Sequence, residues 1–159
     1  MRLIFFTCLL FINCAEGQNT FEINNATQTG TVVKIIDGDT FDLLTKEKNT
    51  IRVRMNGIDC PERKQDFYKV SKDALAVYIS QKEVKLITTG RDRNKRTIAI
   101  VFCNEENINL AMIRNGYAWH YKKYSADTNF AKAEEQARID KKGLWKMNKP
   151  VAPWEFRKK

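Results

Sequence analysis

Within Arg54-Met55-Asn56-Gly57-Ile58-Asp59-Cys60-Pro61-Glu62, an arginine, two carboxylates and a chain-turning proline lie in a single short run. About twenty residues upstream, Asp37-Gly38-Asp39-Thr40 has the composition of a turn between strands, and a hairpin-type return there brings Asp39 beside Asp59. Two carboxylates held together repel, so something cationic must compensate them. Hard oxygen donors suit Ca²⁺ or Mg²⁺ rather than zinc. The single histidine, His120, and the lack of any CxxC spacing argue the same way. Taken singly, Asp37 and Asp39 serve a turn, and Asp59 a cap, as readily as they serve a cation.

The elements that must position these groups are legible from periodicity. Thr31 to Ile36 is β-branched and apolar and predicts a strand, closed by the Asp37-Gly38 turn, with Thr40 to Leu44 returning beside it. Lys46 to Asn49 is a charged tip, and Thr50 to Ile58 resumes as strand. Its alternation sends Arg52 and Arg54 to one face and Val53 and Met55 to the other. From Phe67 to Ser80 the period becomes helical, with Phe67, Val70, Ala74 and Val77 forming the expected core stripe. Glu83 to Thr88 and Thr97 to Phe102 are the fourth and fifth strands, joined by the charged turn from Gly90 to Arg96. Asn109 is the expected cap of a short helix that Gly116 ends. Asp127 or Thr128 opens a last helix carrying Phe130, Ala133 and Ala137 on one stripe, with Gly143 as its terminator. Five short strands, one helix after the third strand and later helices make an α+β chain. The expected architecture is an OB-fold, a five-stranded Greek-key barrel with three packed helices.

The 159 residues are enough for one domain with a core. The hydrophobic fraction of 43% excludes disorder as the default, and the formal charge of +9 attracts polyanions: nucleic acid, an anionic membrane surface or an acidic polysaccharide. The first seventeen residues differ from the rest. Arg2 precedes an apolar run from Leu3 to Ile12, and Ala15-Glu16-Gly17 offers small residues for a signal peptidase. The run is too short to span a bilayer as a helix. Residues 1–17 are therefore an expected signal peptide, the alternative being a lipoprotein anchored at Cys14. Residues 18–29 read as a mobile leader, 30–147 as the domain and 148–159 as a basic tail whose aromatics dock. Cleavage leaves Cys60 and Cys103, expected as free thiols. The aromatic and basic run from Tyr117 to Tyr124 can stack bases or simply pack, and His120 reads as a packing residue between aromatics.

Taken in order, Val33-Lys34-Ile35-Ile36-Asp37-Gly38-Asp39-Thr40, Arg54 upstream of Asp59, Pro61-Glu62 just after it, and Asp92 to Arg96 before a strand resemble the staphylococcal nuclease (thermonuclease) family over residues 30–147. The resemblance implies an OB-fold nuclease that uses Ca²⁺ to hydrolyse DNA and RNA. By position, Asp39 and Asp59 match the metal carboxylates, and the main-chain carbonyl of Cys60 matches a further ligand. Glu62 matches the glutamate that orients or deprotonates the attacking water, and Arg54 and Arg96 match the two arginines on the scissile phosphate. Arg93, Tyr121 and Tyr124 are the implied substrate-binding residues. The sequence departs from the family in three places. Cys60 replaces a threonine, Arg93-Asn94-Lys95 replaces lysine-tyrosine-glycine, and Lys122 falls where one of two substrate-side tyrosines would be, with Tyr121 next to it.

The expectation is thus an exported nuclease acting as a monomer on DNA or RNA, with no stable membrane span and no protein partner implied. Two other classes compete. One is an OB-type module that binds nucleic acid without cutting it, which should lack one or more of these positions; none is missing. The other is a surface protein whose basic face binds anionic polymers.

Overall fold

The computed structural model describes residues 27–158. The expected signal peptide, Cys8, Cys14 and most of the leader lie outside the described residues. In chain order the elements are strands β1 (Thr27–Ile35), β2 (Thr40–Thr45), β3 (Thr50–Met55) and β4 (Ile58–Asp59), then helix α1 (Tyr68–Ile79). Strands β5 (Glu83–Arg91), β6 (Thr97–Cys103) and β7 (Glu106–Asn107) precede helix α2 (Ile108–Arg114). Strand β8 (Trp119–His120), helix α3 (Thr128–Ile139), a 3₁₀ turn (Gly143–Lys146) and helix α4 (Pro153–Phe156) complete the chain.

Five strands close on themselves. β1 pairs antiparallel with β2 and β5, β2 with β3, and β5 with β6. The barrel shuts through a parallel pairing of β3 with β6, in the register Val53 with Thr97 and Met55 with Ala99. This is the OB-fold barrel of an α+β protein. Alternation does the sorting: Thr97, Ala99, Val101 and Cys103 of β6 are buried while the residues between them are half-exposed. With Val32, Phe41, Leu43, Val53, Met55, Val84 and Leu86 they fill the interior.

Several expectations change. Thr27 to Thr31 pair with Ile87 to Glu83, so β1 begins inside the expected leader. The third strand ends at Met55, not Ile58, because Gly57 adopts a positive φ of 71° and a Cβ there would meet Ser125 and Phe130. Ile58 and Asp59 restart as β4 against β8. α1 buries Ser71, Leu75 and Ile79, whereas Val70 and Val77 are 46% and 76% exposed. Ser71 tolerates burial because its hydroxyl donates to the Tyr117 carbonyl at 2.7 Å. Asn107, not Asn109, caps α2, accepting from the Leu110 N–H at 3.0 Å. A fourth α-helix lies within the segment read as a tail. It is held by Trp154, which packs with Phe67 and Met147 against a small cluster of Trp119, Ala137, Leu144, Trp145 and Ala152.

Candidate active site

The turn between β1 and β2 is built to aim one carboxylate. Asp37 accepts the Asp39 N–H on its Oδ1 at 3.0 Å, and the Asp39 carbonyl accepts from Met55 of β3 at 2.9 Å. Gly38 lies so close to the loop after β4 that a Cβ would sit 2.2 Å from the Ser71 hydroxyl and 2.8 Å from the Cys60 Cβ. That close approach puts Asp39 Oδ2 at 2.7 Å from the Cys60 N–H. The second carboxylate arrives on β4. Its corner is clamped by Asn109, whose buried amide donates to the Asn56 carbonyl at 2.8 Å while accepting from the Val101 N–H at 2.9 Å.

Arg54 joins the two. Its Nη1 lies 2.9 Å from Asp39 Oδ2 and its Nη2 2.9 Å from Asp59 Oδ1, with the side chain 14% exposed. Asp39 and Asp59 are 5% and 1% exposed. Burial pushes the Asp39 carboxyl up to about 8, with Asp37 and Asp59 adding to the shift and Arg54 and the Cys60 N–H opposing it. Burial also raises Asp59, against the pull of Arg157 and Arg54. For Arg54, burial works against the charge but Asp39 and Asp59 outweigh it, so its pKa rises. Burial and the neighbouring Asp39 drive the Cys60 thiol well above its ordinary value, which disfavours the thiolate. Cys60 and Cys103 are both free.

The cluster forms the floor of a cavity of roughly 1280 Å³. Glu62, Arg93, Arg96, Tyr121 and Tyr124 line it together with Asp39, Arg54, Asp59 and Cys60, so the expected catalytic, cation and substrate residues all border one cavity. Their roles in the packing differ. Arg96 stands apart from the carboxylate pair, steered by Asp92, whose Oδ2 accepts from Nε at 2.7 Å. Although burial opposes it, hydrogen bonds from the Arg96 backbone and side chain hold the Asp92 carboxyl below its usual range. Tyr124 is 62% exposed at the rim and meets Tyr121 edge-on at 4.8 Å. His120 is buried beside Phe130 and is not among the residues lining this cavity.

One residue escaped the sequence reading. Arg157 forks onto Asp59, with Nη2 2.8 Å from Oδ2 and Nη1 3.2 Å from Oδ1, and Nη1 also reaches Glu62 Oε1. Gln65 supports this arrangement by accepting from the Glu62 N–H at 2.9 Å while donating to the Val151 carbonyl at 2.7 Å. The only sequence signal for Arg157 is the aromatic run Pro153-Trp154-Glu155-Phe156 that precedes it.

Chemically, two buried carboxylates with hard oxygens suit a divalent ion of the Ca²⁺ or Mg²⁺ type. No three His, Cys, Asp or Glu side chains converge among the described residues, so backbone oxygen and water would have to complete such a shell. Arg54 and Arg96 add two planar forks that match the oxygens of a phosphate.

Residues 52–147 match the family described as staphylococcal nuclease homologue. An uncharacterized endonuclease of Haemophilus influenzae is 42% identical over 162 residues, an alignment covering 99% of this chain and 86% of that protein. An uncharacterized endonuclease of Escherichia coli O157:H7 is 36% identical, covering 80% of this chain and 84% of the relative. The staphylococcal-like nuclease CAN1 of Arabidopsis thaliana is 31% identical, covering 86% of this chain and 44% of its own longer one. With the barrel closed in OB order and the two carboxylates bridged by Arg54, the match places this chain in the staphylococcal nuclease family.

Proposed function

We propose that this chain is a Ca²⁺-dependent nuclease that hydrolyses phosphodiester bonds of DNA and RNA with low sequence specificity, exported and acting as a monomer. The observation that carries the reading is Arg54 held between Asp39 and Asp59 at the floor of a cavity whose walls carry Glu62 and Arg96. Hydrolysis forms a bond from a water oxygen to phosphorus and breaks the bond to the leaving ester oxygen, with negative charge building on the equatorial oxygens. Arg54 and Arg96 are suited to receive that charge, because a guanidinium fork meets two oxygens at once. Glu62, at 38% side-chain exposure, is open to solvent and can align a water or take its proton. Asp39, Asp59 and the Cys60 carbonyl would hold the cation, which supplies charge neutralisation at the phosphate.

Specificity has little to rest on. The cavity is lined mainly by arginines, carboxylates and tyrosines, which grip backbone and stack on any base, and only Asn56 and Asn94 bring amides to it. The +9 charge suits a polyanion and makes affinity fall with salt. Among the described residues, no helix is long and apolar enough to cross a membrane. Export rests on the apolar run of residues 3–12. The mass of the mature N-terminus distinguishes cleavage near residue 17 from lipid attachment at Cys14.

The test is cleavage of single-stranded DNA, double-stranded DNA and RNA with Ca²⁺ or with chelator. Cleavage in Ca²⁺ that chelator abolishes, and that Glu62→Gln lowers by about 10²-fold or more, is expected. Undiminished cleavage in chelator would sink the cation assignment, and binding without cleavage would make the chain a nucleic-acid-binding module.

A further inference from the structure

The C-terminal segment does more than cover the barrel. Ala152 and Trp154 anchor it, and the Trp154 ring lies parallel to Tyr121 at 5.0 Å and edge-on to Trp119 at 5.6 Å. Gln65 ties Val151 to the Glu62 backbone. From this anchor, one turn of α4 delivers Arg157 to both oxygens of Asp59 and to Glu62. The anchor and the arginine lie beyond residue 147, where the family match ends.

A divalent ion of the Ca²⁺ type sits about 2.3–2.6 Å from its carboxylate oxygens. The Arg157 nitrogens stand 2.8 and 3.2 Å from the same oxygens of Asp59 that such an ion needs. Arg54 already donates to Asp59 Oδ1 from the other side at 2.9 Å. Two guanidinium groups and a doubly charged ion cannot share one carboxylate without strong like-charge repulsion. Of the two arginines, Arg54 is the buried one, whereas the Arg157 side chain is 41% exposed at the end of a four-residue helix and is the one free to leave.

We propose that the C-terminal helix is a plug displaced by the cation: Arg157 and the divalent ion hold Asp59 in turn, so Arg157 sets the ion concentration at which the site fills. The inference rests on the reading of Asp59 as a cation carboxylate. It has a structural corollary. Arg157 and Tyr121 also line a second, adjoining cavity of roughly 510 Å³ with Lys122, Lys123, Arg138 and Lys158. Release of Arg157 removes part of the wall the two cavities share and lengthens the basic surface open to a polyanion.

The test is Ca²⁺ binding by calorimetry on the full chain without substrate, comparing wild type, Arg157→Ala and Arg157→Lys. Arg157→Ala should bind Ca²⁺ about tenfold more tightly, the ratio expected for removing one charge-assisted competitor at a half-exposed position. Arg157→Lys, which keeps the charge and loses the fork, should fall between the two. Amide exchange in residues 152–158 of the wild type should speed up on adding Ca²⁺. Equal affinity in wild type and Arg157→Ala, weaker binding in Arg157→Ala, or slower exchange of the segment with Ca²⁺ would each overturn the plug while leaving the cation site standing. Loss of Ca²⁺ binding in all three proteins would overturn both.

Discussion

Two arginines meet Asp59, and they are held by different physics. Arg54 comes from the middle of the barrel wall, on a strand whose neighbours fix it on both sides, and its fork is buried between two carboxylates five and fifteen positions away. Arg157 comes from 98 residues down the chain, on a single helical turn laid over aromatic rings, with its fork partly in water. The first is part of what closes the barrel. The second rests on top of a barrel already closed. Burial makes the Arg54 contacts costly to break, whereas exposure makes those of Arg157 cheap to exchange.

The largest test of that contrast is Arg54→Ala. Removing the guanidinium strands Asp39, 5% exposed, and leaves Asp59, 1% exposed, to Arg157 alone, so folding stability should fall by about 3–5 kcal/mol in a denaturant melt. Cleavage should fall by at least about 10³-fold, and Arg54→Lys should not restore it, because an ammonium cannot span both carboxylates and a phosphate. If Arg54→Ala melts like wild type, the cluster is not the buried device described and the contrast with Arg157 collapses. Asn109→Ala follows in size. It leaves the Val101 N–H and the Asn56 carbonyl without their partner, at about 2–3 kcal/mol, whereas Asn107→Ala removes only a helix cap, at about 1 kcal/mol. A reversed order would show that the β4 corner holds itself and needs no clamp.

The same division explains what could be read in advance. The meeting of Arg54, Asp39 and Asp59 was legible because strand alternation and a turn signal are local, whereas Glu62 entered through the family resemblance; local patterns also placed five barrel strands in the right order. The exposure of Val70 and Val77 was not. In α1 two apolar stripes interleave, and the buried one includes Ser71, which looks polar until its hydroxyl finds the Tyr117 carbonyl. An asparagine near a helix start usually caps it, but the Asn109 amide instead joins β6 to the corner after β3, reaching Asn56 from 53 residues down the chain. Arg157 had no local mark beyond the aromatic run that precedes it. A basic residue in an aromatic tail becomes a ligand of Asp59 only once the whole barrel has placed Trp119 and Tyr121 beneath it.

Asp39→Asn sharpens the contrast through pH. Burial pushes the Asp39 carboxyl up to about 8 in the folded protein from an ordinary value of 3.8. A raised folded pKa means the folded state binds the proton more tightly than the unfolded chain. The resulting stability is fully present below about pH 4 and is lost as pH rises through about 8. The cation-free wild type should therefore weaken between those limits. Asp39→Asn should flatten that slope, adding about 1–2 kcal/mol of stability at pH 8 while abolishing Ca²⁺ binding. A pH slope unchanged in Asp39→Asn would move the titration to another group.

The smallest effect belongs to the docked helix. Trp154→Ala removes the parallel contact with Tyr121 and the edge contact with Trp119, at about 1 kcal/mol, because the barrel interior does not include it. Its value lies in direction rather than size. With the anchor gone, Arg157 keeps its charge but loses the geometry that aims it at Asp59, so Ca²⁺ affinity should rise as it does in Arg157→Ala. The double variant Trp154→Ala with Arg157→Ala should bind no more tightly than Arg157→Ala alone, since residues acting through one contact are not additive. A stability loss of several kcal/mol, or additive gains in Ca²⁺ affinity, would mean that α4 belongs to the barrel after all and that Asp59 is served by two arginines of the same kind.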